Sequence, residues 1–497
     1  MKKPILTVLA LIMLFTACTP APAEQPVPTE PAQTAAAQLP SQAPDPVTPT
    51  AGSAVTAPYI DSRADYTYIM TDERDRKWEE DIVYFANLCL DPYNGHPKLS
   101  DRLTTTRTYN DLVTRYSTTS SENFFDPALK EDFIRGINEL ILSIPELSDG
   151  EIVFGLKRIL APLNDIHAGC SLGSYEDPLP IRFDPIEIGG TYEAVVFFAP
   201  KGSEDLLGAR LKAINGVPLA EIIERLAPYF PRETDDNHVI EIISKYIDNC
   251  VSLRQIGVMG EETSAEFTFT DASGNELSRT LTSQHEIDLS KDCTFYSVNG
   301  DFIPADYRLM RSDRSVPAWY TLLMGGEALY FRLNTCMVDE NFGSVVSEAF
   351  AAAAGTGKLK KVIVDFRHNG GGYLDLAESF IPLANAMRDS GAELFVLIDG
   401  LSYSASVAIP SMLKRRMENV TIVGSPAGQP VRFFFGYYAA EFTLPNSQLF
   451  CQCSRTYGDF WPEYPDGPLQ PDITVLQTYE DFLAGTDSVL DYILNLN

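Results

Sequence analysis

The spacing of apolar positions changes twice along the chain. From about residue 66 to 168 they recur at helical intervals. "ERDRKWEEDIVYFANLCL" (73–90) has a heptad-like spacing, and "LSDGEIVFGLKRILAPL" places Ser148 three residues before Glu151, a capping-box interval. Ile152, Leu156, Ile159, Leu160 and Leu163 then form one stripe. From about 178 to 285 the runs shorten and alternate, broken by Gly, Pro and Asn. "GARLKAINGVPLAEIIERL" reads as strand, Asn215–Gly216 turn and helix, and "AEFTFTDASGNELSRTLT" as a hairpin turning through 272–275. From about 316, apolar β-branched runs at 328–334, 361–366, 393–399 and 420–424 alternate with helical segments near 340–354, 374–388 and 404–417. This pattern predicts an α/β fold with a parallel sheet buried on both faces.

In an open parallel sheet, ligands gather beyond the carboxyl ends of the strands. Two unusual loops fall there: "RHNGGGY" (367–373) and the serine-rich "DGLSYSASVAI" (399–409). Gly371 and Ser404 are 33 residues apart, the length of one crossover, so both loops should open on one rim. Three glycines leave bare backbone able to approach another chain closely. That loop suits an amide facing a carbonyl oxygen, a tight turn, or a phosphate cradle; its spacing fits neither common phosphate motif. A serine before a helix is ordinarily an N-cap. It becomes a nucleophile when a base lies in reach and N–H donors face the developing oxyanion.

The ends and the composition narrow the class. "MKKPILTVLALIMLFTAC" has two lysines, then an apolar stretch too short to remain a membrane-spanning helix, and then Cys18. This predicts a lipoprotein signal over 1–17 with acylation at Cys18, although Phe15 stands where leucine is more usual. Residues 18–58 are Pro-, Ala- and Thr-rich and predict an extended tether. The expected location is extracytoplasmic, with the body anchored to a membrane through Cys18. Acidic side chains outnumber basic ones 68 to 38, which argues against nucleic acid as a partner. Beyond Cys18 the seven cysteines (89, 170, 250, 293, 336, 451 and 453) are too sparse for a disulfide scaffold, and their pairing stays open. Cys451 and Cys453 lack a second ligand cluster, so no metal is expected.

Six segments, in order, resemble the C-terminal-processing (tail-specific) serine peptidase family: "LNDIHAG", "GARLKAINGVPLAEII", "KVIVDFRHNGGGYL", "VLIDGLSYSASVAI", "VTIVGSPAGQP" and "LQPDI". The resemblance covers about 75–485. It implies an α/β, multidomain architecture: a helical N-terminal region at 66–178, an inserted PDZ-like module at 179–285 and a crotonase/ClpP-like domain at 316–490. It further implies Ser404 as nucleophile, Ser402 and Ser406 as structural, and the amides of Ala405 and Gly371 as oxyanion donors.

The proton acceptor is the point of departure. One branch of the family has a lysine where this chain has Gln429, and no lysine follows Lys414. The other branch, which includes the tricorn core, uses a histidine ahead of the PDZ-like module, matched here by His167. His368, inside the glycine loop, is a second eligible imidazole. The family's orienting acid before its Pro-Asp motif corresponds to Glu463 or Asp466, and Asp165 is a third acid, read as a loop brace. The implied activity is hydrolysis of extended polypeptides through an acyl-enzyme without a cofactor. The rival expectation is a non-catalytic lipoprotein binding peptides or hydrophobic ligands on the same scaffold.

Overall fold

The apolar runs after residue 316 assemble into one sheet. In a computed structural model, the structure describes residues 72–90, 127–200, 202–283, 302–304 and 308–496, apart from 314, 339–341, 375, 378, 381–390, 418, 436–440 and 454–455. The expected signal, Cys18 and the tether lie outside the described residues. No helix among the described residues is long and apolar enough to cross a membrane.

The sheet runs in the order Ile473–Thr474, Val420–Gly424, Glu393–Ile398, Lys361–Asp365, Ala328–Leu333 and Ala318–Leu323. Its pairings are parallel except for the last, where Ala318–Leu323 returns antiparallel on Ala328–Leu333. Successive side chains point to opposite faces of a strand, and both faces are covered. On one, Phe331, Val362, Val364, Val396 and Ile398 pack with Val346, Phe350, Val407 and Ile409. On the other, Tyr330, Ile363, Phe395, Leu397 and Val423 meet Val489, Leu490 and Ile493 from the C-terminal helix. Two-sided burial explains why these strands read as continuous apolar runs instead of alternating ones. The connecting helices at Phe342–Gly355 and Ala405–Arg416 match expectation; the one expected at 374–388 is helical at 376–377 and 379–380 and passes outside the described residues at 381.

A second, antiparallel sheet follows the order Arg182–Ile188, Thr191–Pro200, Arg210–Ile214, Ser264–Thr270 and Glu276–Thr282. Asn215 and Gly216 both take positive φ, 48° and 78°, as a tight turn into helix Leu219–Leu226 requires. Ahead of this sheet, helices Glu73–Leu90, Pro127–Ser143 and Asp149–Leu160 pack through Phe85, Phe133, Ile137, Ile152 and Leu156. The Ser148–Glu151 capping box forms in both directions. A small sheet was not legible in sequence: Gly169–Cys170 pairs with Phe450–Gln452, which pairs in turn with Glu441–Thr443. It fastens the end of the helical region to a segment some 280 residues downstream.

Candidate active site

Strands Lys361–Asp365 and Glu393–Ile398 are parallel neighbours, so the glycine loop and the serine turn leave the sheet side by side. The two loops are stitched together. Tyr403 N–H donates to Asn369 O at 3.0 Å, Ser402 Oγ donates to Phe366 O at 3.0 Å, and Ser406 Oγ donates to Asn369 O at 2.6 Å. Ser402 and Ser406 are fully buried in these bonds. Ser404 differs from both. Its backbone sits at φ 56°, ψ −122°, a strained conformation for a residue with a Cβ, and its hydroxyl caps no N–H of the helix it precedes. Among the described residues, its Oγ makes no hydrogen bond. The turn therefore holds one hydroxyl of the three away from structural use.

Gly371 lies against this serine. A Cβ placed on it would stand 2.5 Å from Ser404 Cβ and 2.8 Å from Tyr403 O, and its φ is +97°, so only glycine fits. The expected oxyanion donors fare differently. Ala405 opens the helix Ala405–Arg416, where N–H groups lack partners within the helix. The Gly371 N–H, by contrast, donates to Asn369 Oδ1 at 2.9 Å and so turns away from an oxyanion position in this state.

Gln429 occupies the space between Ser404 and His167. Its Oε1 accepts from Ser404 N–H at 2.7 Å, and its Nε2 lies 3.4 Å from His167 Nδ1 and 3.3 Å from Glu233 Oε1. The His167 ring stacks on Phe433, with centroids 5.7 Å apart and planes 11° apart. Asp165 Oδ1 accepts from His167 N–H at 2.9 Å and stands 3.4 Å from Nδ1. The Gln429 amide nitrogen can only donate, so in this state Nδ1 accepts from it and the neutral ring carries its proton on Nε2.

The acids sort unlike their expected roles. Glu463 faces Arg415 at 3.5 Å and Asp466 faces Arg432 at 2.5 Å, with side chains 68% and 97% exposed. The structure brings neither to His167. Asp165 is the carboxylate beside the ring, buried to 1% exposure. His368 is committed elsewhere: its Nδ1 contacts Asp399 Oδ2, and its Nε2 lies 3.0 Å from both Asp184 Oδ1 and Arg311 Nη2. It joins the glycine loop to the strand Arg182–Ile188 of the antiparallel sheet and is not poised as a base for Ser404.

Glu233 escaped the sequence reading. It lies in a short acidic run with nothing to distinguish it, yet its Oε1 accepts from Ile166 N–H at 2.9 Å. Burial first, and then the charge of Asp165, push its carboxyl well above the usual range. The site therefore favours the protonated form. A raised acid contributes stability below its unfolded value, about 4.3, and loses it as pH rises through the folded value. Glu233→Gln, which imitates the protonated form, should flatten the fall in melting temperature from about pH 5 upward, as thermal melts across that range would measure.

A solved-structure comparison finds the same arrangement of elements in CPAF. Mature CPAF complexed with lactacystin matches with a TM-score of 0.50 at 10% identity, over 84% of this chain and 97% of that one. A CPAF mutant matches with a TM-score of 0.50 at 10% identity, over 85% and 98%. The photosystem II D1 C-terminal processing protease shows a lesser likeness, TM-score 0.34 at 15% identity, over 71% and 89%. No family model matches the sequence, and no curated protein matches it. The chain has a mixed α/β fold similar to that of CPAF: a ClpP/crotonase-like core with a PDZ-like module and a helical N-terminal region.

Proposed function

We propose that this protein is a serine peptidase acting on extended polypeptides, held on the outer face of a membrane by a lipid on Cys18. The observation that carries the reading is the strained Ser404 turn, which withholds a hydroxyl from structural bonding at a helix N-terminus and sets it against Gly371. Ser404 Oγ attacks the peptide carbonyl. The Nε2 of His167 takes the hydroxyl proton and returns it to the leaving amine once Gln429 leaves Nδ1 and the ring adopts the tautomer with Nδ1–H toward Asp165, which lies 3.4 Å away. Ala405 N–H stabilises the oxyanion, joined by Gly371 N–H once Asn369 releases it. The antiparallel, PDZ-like sheet supplies strand edges for an extended chain, and the anchor and location follow from the N-terminal pattern of the sequence.

Purified protein incubated with unfolded polypeptides should cleave them, and Ser404→Ala, with an unchanged fold by circular dichroism, should not. Equal cleavage by both proteins rejects the assignment. A binding scaffold without hydrolysis is favoured by one feature, the engagement of Gly371 N–H by Asn369. An active-site-directed phosphonate separates the readings: covalent labelling of Ser404 supports the peptidase, and an unlabelled protein that retains bound ligand supports the scaffold.

A further inference from the structure

Two buried thiols meet just beyond the His167 turn. Cys170 and Cys451 are directly opposed where Gly169–Cys170 pairs antiparallel with Phe450–Gln452, and their Sγ atoms are 3.1 Å apart. Ser171 N–H donates to Phe450 O at 2.9 Å, so Ser171 and Phe450 form a hydrogen-bonded pair. The adjacent pair, Cys170 and Cys451, therefore occupies the non-hydrogen-bonded position, where facing Cα atoms come within about 4.5 Å. That separation lies inside the range of about 4.4–6.8 Å that a disulfide spans. Cys250 and Cys336 are engaged elsewhere, beside Asp177 and Asn369 respectively.

We propose that Cys170 and Cys451 form a disulfide that locks the strand following His167 onto the sheet carrying residues 441–443 and 450–452. The bond joins positions 281 residues apart and holds the His167 turn beside Gln429 and Phe433 independently of the long polar contacts at Nδ1. The oxidant is a small-molecule or protein disulfide. One protein thiolate attacks it and releases one thiol, giving a mixed disulfide, and the second protein thiolate then displaces the other thiol. The two cysteines lose two electrons and two protons, and one disulfide becomes two thiols. Cys170 and Cys451 are 2% and 0% exposed, and burial raises the Cys451 thiol well above its usual value, so exchange in the folded state is slow. The bond accordingly forms as the strands meet during folding and is shielded afterwards. It does not depend on the peptidase reading, since no step of hydrolysis enters the argument.

The test refolds the reduced full chain in mixed oxidised and reduced glutathione, alkylates it in denaturant, and digests it without reduction for mass spectrometry. The expected product is a linked pair of peptides carrying Cys170 and Cys451, lighter by two hydrogens than their sum and separated by reductant. In Cys170→Ala, Cys451 should become fully alkylatable, and the melting temperature should fall by several degrees relative to the oxidised chain. Alkylation of both cysteines in the oxidised wild-type chain overturns the proposal. So does linkage of Cys451 to Cys453 or Cys293, or a Cys451 that stays blocked in Cys170→Ala.

Discussion

His167→Ala is expected to lower polypeptide cleavage by about 10²–10⁴-fold while leaving the melting temperature nearly unchanged. The ring is stacked on Phe433 at one edge of the core, and Asp165 and Gln429 lie beside it. In the proposed mechanism, removing it deletes the nitrogen that accepts the Ser404 proton without opening the sheet. A companion series identifies the orienting acid. Asp165→Asn should reduce the rate strongly, because an amide can donate to Nδ1 and stabilise the wrong tautomer. Glu463→Gln and Asp466→Asn should leave it within about twofold, since both carboxylates are solvated and paired with arginines, and such pairs contribute little. Steady-state kinetics on one peptide substrate checks all four. Loss of activity in Glu463→Gln with retention in Asp165→Asn would restore the assignment that the family resemblance implies.

Arg367→Met is expected to destabilise the protein by about 3–5 kcal/mol, read from urea unfolding. The Arg367 guanidinium is buried between two carboxylates, reaching Asp365 Oδ2 at 2.6 Å and both oxygens of Asp487 at 2.8 Å. Asp365, at 0% exposure, also takes Tyr330 Oη at 2.7 Å and Arg332 Nη1 at 3.1 Å. Burial alone would raise the Asp365 carboxyl, but Arg367 and Arg332 outweigh it and hold the group well below the usual range. A depressed carboxylate gives its full stability above the unfolded value, about 3.9, and loses it only as pH falls through the folded value. The wild type should therefore hold this contribution into mild acid. Without the guanidinium, Asp365 and Asp487 lose the buried counter-ion they share. Because Arg367 opens the glycine loop, the same change should lower cleavage.

The motifs were legible because they are local. Two-sided burial writes a strand as an unbroken apolar run, and the helix after Ser404 announces itself over a dozen residues. The crowding of Ser402, Ser404 and Ser406 already posed the question of which hydroxyl is free; backbone strain and hydrogen bonding then separated one from two. The acids were not legible in this way. Glu463 and Asp466 occupy the expected stretch, but a carboxylate's role depends on where its side chain comes to rest, and these two face Arg415 and Arg432 instead of His167. Glu233 meets Ile166 across 67 positions, with no periodicity to mark it.

From its sequence alone this chain determines a buried parallel sheet, the two loops at its rim, and the absence of a lysine after Lys414, since each depends on residue type and short-range spacing. Tertiary structure alone decided that Gln429 stands between Ser404 and His167, that Asp165 is the carboxylate beside the ring, that Asn369 holds the Gly371 amide, and that Cys170 faces Cys451. The physical reason is that apolar periodicity records how deeply a segment is buried. Which polar atoms meet within the burial is set by contacts across hundreds of residues, where angstrom-scale placement governs hydrogen bonds and charge.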